Sequence, residues 1–228
     1  MTDATNPSSG DDRRSHEAHL QRSRRVWDRW SDHYGLSESD YEPMRETAIE
    51  HLDLDPGDAV LDVGCGPGVN FEFLRDAVGP EGRVVALDYS SGMVDRARDR
   101  VADHGWENVT VRRVDATRAD LDTASFDAAL ATLSLSVMPS PEMAVERVHE
   151  ALRPGGRLAV FDLRPFPSGP LRLANPLLVR ALRLVANWNA DADVPTAVAS
   201  AFGDCEVVET YFAGANYTAI ATRGDASP

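Results

Sequence analysis

Between positions 59 and 162 the apolar residues come in short, nearly unbroken runs, separated by stretches where they recur every three or four positions. The runs are "AVLDV" (Ala59–Val63), 83–87, "VTVRR" (Val109–Arg113), 126–131 and 156–162. Their length and continuity predict strands covered on both faces, as in a parallel sheet. The stretches between them predict helices. One spans 69–78. The next follows Ser90 and Ser91, either of which can cap it, and ends near His104 with Gly105 in the stop position. Another opens on Ser140 and Pro141 and is ended by Pro154-Gly155-Gly156. Strict β/α alternation implies right-handed crossovers and parallel pairing. Near the end, "CEVVETYF" and "ANYTAIATR" break the alternation and predict an antiparallel hairpin at one side of the sheet. The expected fold is α/β: a doubly wound, mostly parallel seven-stranded sheet with a C-terminal antiparallel hairpin.

The flanks carry weaker patterns. Residues 1–15 are rich in Ser, Asp, Asn and Gly and are expected to be disordered. A helical pattern with Leu20, Val26, Trp27 and Trp30 then covers 16–34, and a second helix is expected over 43–52, stopped by "DLDPGD". Residues 16–228 read as a single domain, with 16–55 as an N-terminal helical lid and 165–203 as a helical insertion. Within the insertion Asn175 is the expected N-cap and Pro176 the first helical residue. Arg180 and Arg183 share one helix face, and Leu177, Leu178, Ala181, Leu182, Leu184, Val185 and Trp188 cover a broad opposite one. That apolar face either packs on the sheet or the N-terminal helix, or it walls an acceptor pocket or meets lipid.

Charge narrows the partners. The chain has 37 acidic and 23 basic residues, a net charge of −14, which disfavours nucleic acid or a general attraction to acidic membranes. An anionic head group would need local arginines: Arg172, Arg180 and Arg183, or the group Arg22, Arg24, Arg25 and Arg29. Every basic residue is arginine, and with the abundant Asp this leads us to expect a halophilic source. No apolar run is long enough to span a bilayer and residues 1–10 have no signal-like apolar core, so a cytoplasmic protein is expected. Cys65 and Cys205 lie far apart without metal-ligand neighbours, so neither a disulfide nor a metal site is expected.

The candidate chemistry lies in "VLDVGCGPGVN", where Gly64, Gly66 and Gly68 follow the first strand. A dinucleotide loop would place a third glycine where Val69 stands. Asp62, two positions before the first glycine, would repel a diphosphate and suit a ligand presenting an ammonium, directly or through water. Asp88 ends the next strand, where an acidic residue takes a ribose hydroxyl pair. Asp115 follows the third strand, placed to accept from an adenine amine, with the Ala116 amide facing a ring nitrogen. Three carboxylates at the ends of successive strands converge on one crevice.

In this ordered series the chain resembles the class I S-adenosylmethionine-dependent methyltransferases. "VLDVGCGPG", "ALDYSSGM" and "VDATRADL" look like their first three motifs, and "FDAALATLSLSVMPSPEMAVERVHEALRPGGRLAVFD" like their fourth strand through their fifth. "VWDRWSDHYG" resembles the N-terminal helix of the ubiquinone/menaquinone and phosphatidylethanolamine N-methyltransferase branches, with Gly35 where their Tyr-Asp pair carries the Asp. The resemblance implies a Rossmann-like methyltransferase fold and S-adenosyl-L-methionine as cofactor, leaving S-adenosyl-L-homocysteine as product. The cofactor contacts it implies are Asp62, Gly64, Cys65, Gly66, Gly68, Asp88, Tyr89, Met93, Asp115, Ala116 and Thr132. Met93 would pack on the adenine.

Methyl transfer from a sulfonium needs no general base when the acceptor is already nucleophilic, and no catalytic triad is expected. Candidates beside the transferred methyl are His33 and Tyr34 in the lid, and Thr132, Leu133, Ser134 and Ser136 after the fourth strand. The aromatic or histidine pair that relatives often carry at Ser136 and Val137 is absent here. The expected acceptor is a small molecule or lipid-like compound, with a quinone or amine head group favoured and peripheral membrane contact allowed. The rival readings are an NAD(P)-dependent oxidoreductase, disfavoured by Asp62 and Val69, and a non-catalytic nucleoside-binding protein.

Overall fold

The computed structural model describes residues 8–31 and 39–224. After helix α1 (Ser8–Trp30) and helix α2 (Glu42–Glu50) come β1 (Ala59–Val63), α3 (Phe71–Val78), β2 (Arg83–Asp88), α4 (Ser91–His104), β3 (Val109–Arg113), β4 (Phe126–Thr132), α5 (Pro141–Ala151) and β5 (Leu152–Leu163); the expected alternation fails once, where only a 3-10 turn (Ala116–Arg118) stands between β3 and β4. Helices α6 (Asn175–Ala186) and α7 (Val194–Phe202) precede the closing strands β6 (Glu206–Tyr211) and β7 (Asn216–Thr222). The strand order is β3-β2-β1-β4-β5-β7-β6. Pairing is parallel from β3 to β5, and β7 runs antiparallel to both β5 and β6. The seven-stranded sheet and its C-terminal hairpin match the fold expected from the alternation.

The period-2 geometry of a strand explains why the central runs are apolar throughout. Leu61, Val63, Ala129, Ala131, Leu158 and Val160 point into a core shared with Val145, Val148 and Val198 of α5 and α7. Their chain neighbours Val60, Ala128, Leu130, Ala159 and Phe161 point the other way, against Ala48, Phe71, Leu74 and Ala97 of α2, α3 and α4. Strand β1 lies between β2 and β4, so the crossovers reverse direction there and leave a crevice at the strands' carboxyl ends.

Caps follow the sequence in part. Ser90 is the N-cap of α4, its hydroxyl accepting from the Met93 amide at 3.2 Å, and Gly105 ends the helix at φ +66°. Asn175 does not cap α6. Its side chain instead clamps the Pro-rich lead, accepting from the Phe166 amide at 2.9 Å and donating to the Phe166 carbonyl at 3.1 Å. A side-chain amide can satisfy both backbone groups at once, which outweighs one capping bond. Helix α1 begins at Ser8, ahead of the apolar pattern that starts at His16, so it takes in 8–15 of the stretch expected to be disordered; residues 1–7 lie outside the described residues. Among the described residues no helix is long and apolar enough to cross a membrane.

Candidate functional site

The loops at the carboxyl ends of β1 to β4 surround one cleft of about 850 Å³, including space open to solvent. Gly64, Cys65 and Gly66 contribute from the end of β1; Asp88, Tyr89 and Met93 from β2 and the start of α4. Asp115 and Ala116 follow β3, and Thr132, Leu133 and Ser134 follow β4. Nine of the residues expected at a cofactor therefore share one wall system. The remaining side is closed by Leu20, Ser23, Arg24 and Trp27 of α1, which at this spacing form a single helix face.

The glycine loop has two distinct jobs. Gly64, Gly66 and Gly68 all have left-handed backbones, with φ of +71°, +56° and +83°. At Gly66 a Cβ would meet nothing within 4 Å, and the residue faces the cleft. At Gly68 a Cβ would lie 2.4 Å from the Phe71 ring, and Gly68 is not on the cleft wall. Gly68 is therefore small so that the loop can pack on α3, whereas Gly66 leaves room for something to approach.

Asp88 ties this loop to the next. Its Oδ2 accepts from the Gly66 amide at 2.9 Å and its Oδ1 from the Ser90 amide at 2.8 Å. Burial raises its pKa to about 6 against the pull of these bonds. Each oxygen keeps a lone pair, enough to accept from a pair of hydroxyls entering the cleft.

Asp62 does not reach the wall. It is fully buried beneath the loop, where Asn70 Nδ2 lies 3.4 and 3.3 Å from its two oxygens and donates to Thr132 Oγ1 at 3.0 Å. Of the two ways expected from sequence for Asp62 to meet an ammonium, its burial leaves no direct one, and Asn70 links it to Thr132 on the cleft wall. Strand β1 is buried along its whole length, so Asp62 points into the helix layer. Burial raises Asp62 to about 7, the Asp88 charge adds to this, and Asn70 and Arg45 oppose it. Asn70 Oδ1 is also buried and has no hydrogen-bond partner among the described residues.

Asp115 is already engaged. Its Oδ1 accepts from the Thr117 amide at 3.0 Å and hydroxyl at 2.8 Å, and its Oδ2 lies 3.1 Å from His16 Nε2. His16 is one of several polar groups by which α1 straddles the cleft. His19 Nε2 donates to the Val137 carbonyl at 2.9 Å, and Asp28 accepts from Ser90 and Gly92 at the start of α4. Sequence reading missed this role for His16, Ser23, Arg24 and Asp28. The available signal was His16, Leu20, Ser23, Trp27 and Ser31 on one stripe, where polar residues interrupt an apolar face. His33 and Tyr34 lie outside the described residues.

A methyltransferase-domain family model matches residues 60–156, from β1 into β5. Nocamycin O-methyltransferase of Saccharothrix syringae is 31% identical over 77% of this chain and 60% of its own length. Phosphatidylethanolamine N-methyltransferase of Cereibacter sphaeroides is 31% identical over 75% of this chain and 81% of its own. The chain spans as little as 34% and 60% of the length of some curated relatives it matches. Among solved structures, a putative methyltransferase in complex with the Haloferax volcanii Trm112 methyltransferase activator superposes with a TM-score of 0.70. It covers 90% of this chain and 99% of its own at 18% identity, a likeness of fold.

Proposed function

We propose, because the chain belongs to the S-adenosylmethionine-dependent methyltransferases, that it moves a methyl group to a small-molecule or lipid-like acceptor bearing a quinone or amine head group. The observation that carries this reading is the single cleft joining Gly66, Asp88, Met93 and Asp115 under the apolar face of α1. Bound there, S-adenosylmethionine supplies an electrophilic methyl, while the chain supplies orientation and a water-poor site.

The residues present fit such a ligand. Asp88 retains acceptor capacity for the ribose hydroxyls, and Leu87, Met93 and Val114 offer apolar surface to the adenine. Gly64, Cys65 and Gly66 present backbone to the amino-acid end, behind which Asn70 donates to both Thr132 and Asp62. Asn70 Oδ1, buried and without a hydrogen-bond partner among the described residues, suits an ammonium reached through water. Ala116 and Tyr89 complete the adenosyl contacts, and Asp115 takes the adenine amine by sharing its oxygens with His16 and Thr117. Gly68 acts one step removed, by letting the loop pack on Phe71.

As candidates for the acceptor side we keep Tyr34 and His33, together with Leu133 and Ser134, which line the cleft. The protein would work in the cytoplasm, reaching an amphiphilic acceptor through peripheral contact with a membrane. Calorimetric titration with S-adenosylhomocysteine and with NAD(P)H tests the cofactor: binding of the second alone would end this reading. Incubating source-cell extract with methyl-labelled cofactor, then separating lipid, small-molecule, protein and nucleic-acid fractions, identifies the acceptor class.

A further inference from the structure

Helix α6 breaks the rule that an amphipathic helix buries its apolar side. Among its twelve residues are four leucines and two valines, yet none is buried. Leu177 and Leu184, two turns apart on the same helix face, are 73% and 74% exposed, and Leu173 in the preceding 3-10 turn is 88% exposed. Trp30 of α1 borders them, 41% exposed, its indole N–H donating to the Val185 carbonyl at 3.0 Å. A contiguous apolar surface of this kind marks an interaction site.

The charge on the same surface says what covers it. Segment 163–190 contains four arginines and no acidic residue, in a chain with 37 acidic residues. Rather than standing on an opposite face, Arg180 lies one turn before Leu184 and Arg183 is its chain neighbour, both exposed; Arg172 is exposed in the lead, and none of the three forms an ion pair among the described residues. Apolar side chains flanked by unpaired arginines on an otherwise acidic molecule are complementary to a negatively charged lipid surface, where leucines enter the acyl boundary and arginines stay among head groups.

We propose that the face formed by α6 and its 3-10 lead is a docking surface for an anionic bilayer. It extends the lipid-like-acceptor reading by giving the enzyme a way to sit where such an acceptor resides. The position is apt. Asn187, at the end of α6, donates to the Ser23 hydroxyl of the cleft-lining α1 face at 2.7 Å, and Asn189 donates to the Met138 carbonyl at 2.9 Å. The docking surface and the cleft mouth are thus held together by direct bonds.

Vesicle sedimentation without cofactor or acceptor tests this. The full chain is mixed with vesicles of phosphatidylcholine containing phosphatidylglycerol, and with vesicles of phosphatidylcholine alone. We expect binding to the anionic vesicles several-fold stronger than to the neutral ones. The triple variant Leu173→Ser, Leu177→Ser, Leu184→Ser should lose at least tenfold of it, and Arg180→Gln with Arg183→Gln should lose the preference for anionic lipid. All five positions are exposed, and S-adenosylhomocysteine titration of each variant checks that the cleft is intact. The proposal is overturned if the wild-type chain ignores both vesicle types or if the leucine variant binds as before. It is equally overturned if light scattering shows a dimer that the leucine variant converts to monomer, which assigns the face to a second copy. Loss of cofactor binding with vesicle binding retained would instead count against the methyltransferase reading alone.

Discussion

The carboxylate of Asp28, on α1, receives the Gly92 amide at 3.0 Å and the Ser90 hydroxyl at 2.6 Å, both at the start of α4. A residue outside the sheet therefore caps the helix that begins beside Asp88, and a carboxylate at a helix N-terminus is favoured by the helix dipole. The approach is tight: a Cβ on Gly92 would lie 2.7 Å from the Ser31 hydroxyl. Asp28→Ala should cost about 1–2 kcal/mol of stability in chemical denaturation, since charge-assisted bonds to partly exposed groups are of that order. It should also speed S-adenosylhomocysteine release in stopped-flow measurements, because α1 closes one side of the cleft. An unchanged release rate would mean that α1 does not gate the ligand.

Gly66 and Gly68 separate binding from packing. Gly66→Val adds a branched side chain pointing into the cleft, with backbone strain of about 1–2 kcal/mol at its φ of +56°. Cofactor binding should vanish while the thermal transition moves by only a few degrees. Gly68→Ala forces its Cβ into the Phe71 ring, 2.4 Å away, in addition to a similar strain. It should destabilise more, by about 2–4 kcal/mol, since overpacking at a core ring adds to the backbone term. The reverse ranking in paired melts and titrations would mean that the two glycines have been assigned the wrong way round.

The sheet was legible because its signals are redundant. In β1 both Val60 and Leu61 are buried, on opposite faces, and no helix or half-exposed strand requires that pattern. Asp88 and Asp115 were legible for a related reason, since a strand's carboxyl end must open at the crevice. Asp62 was not: sequence places it near the glycine turn, but which face of β1 it joins depends on the local register of that turn. Gly68 misled because a glycine needed for packing looks identical to one needed for a ligand. The α1 face was hidden by distance, because His16 and Asp115 are 99 residues apart and nothing local announces the contact. Asn175 shows two local preferences competing, with the bonds to Phe166 prevailing over the cap.

Asp88 should make cofactor affinity depend on pH. Its pKa of about 6 means that a proton competes with ribose hydroxyls for the same lone pairs in mildly acidic solution. Hydroxyl donors favour the ionised form, so binding should release a proton and strengthen as pH rises. We expect S-adenosylhomocysteine affinity to fall by up to about tenfold per pH unit below 6 and to level off above it. Asp88→Asn should bind more weakly at pH 8 and lose most of the slope below pH 6. A wild-type affinity that is flat from pH 5 to 7 would remove Asp88 from the ribose.

The same burial gives the ligand-free protein an unusual stability profile. Burial lifts Asp62 to about 7 and Asp88 and Asp162 to about 6, above the ordinary carboxylate value of 3.8. Between pH 4 and 7 the folded chain therefore holds protons that the unfolded chain has released. The stabilisation from these three groups is complete below about pH 4 and is lost as pH climbs through 6 and 7, at about 1.4 kcal/mol per pH unit for each fully linked proton. Asp28 has the opposite sign: burial pushes it up, but bonds from Ser90, Gly92 and Arg24 outweigh this and hold it below 3.8. Its contribution fades only in stronger acid, outside the window. The thermal transition of the ligand-free chain should therefore drop from pH 5 to about pH 7 and level off by pH 8. Asp162→Asn lowers stability outright by turning into a donor one of the two oxygens that accept from the Ser136 amide and hydroxyl, yet it should also make the slope between pH 5 and 7 shallower. A transition temperature that rises across that window, or an Asp162→Asn slope equal to the wild type's, would show that these carboxyls are ionised in the folded chain and that their burial is compensated by charge rather than by protons.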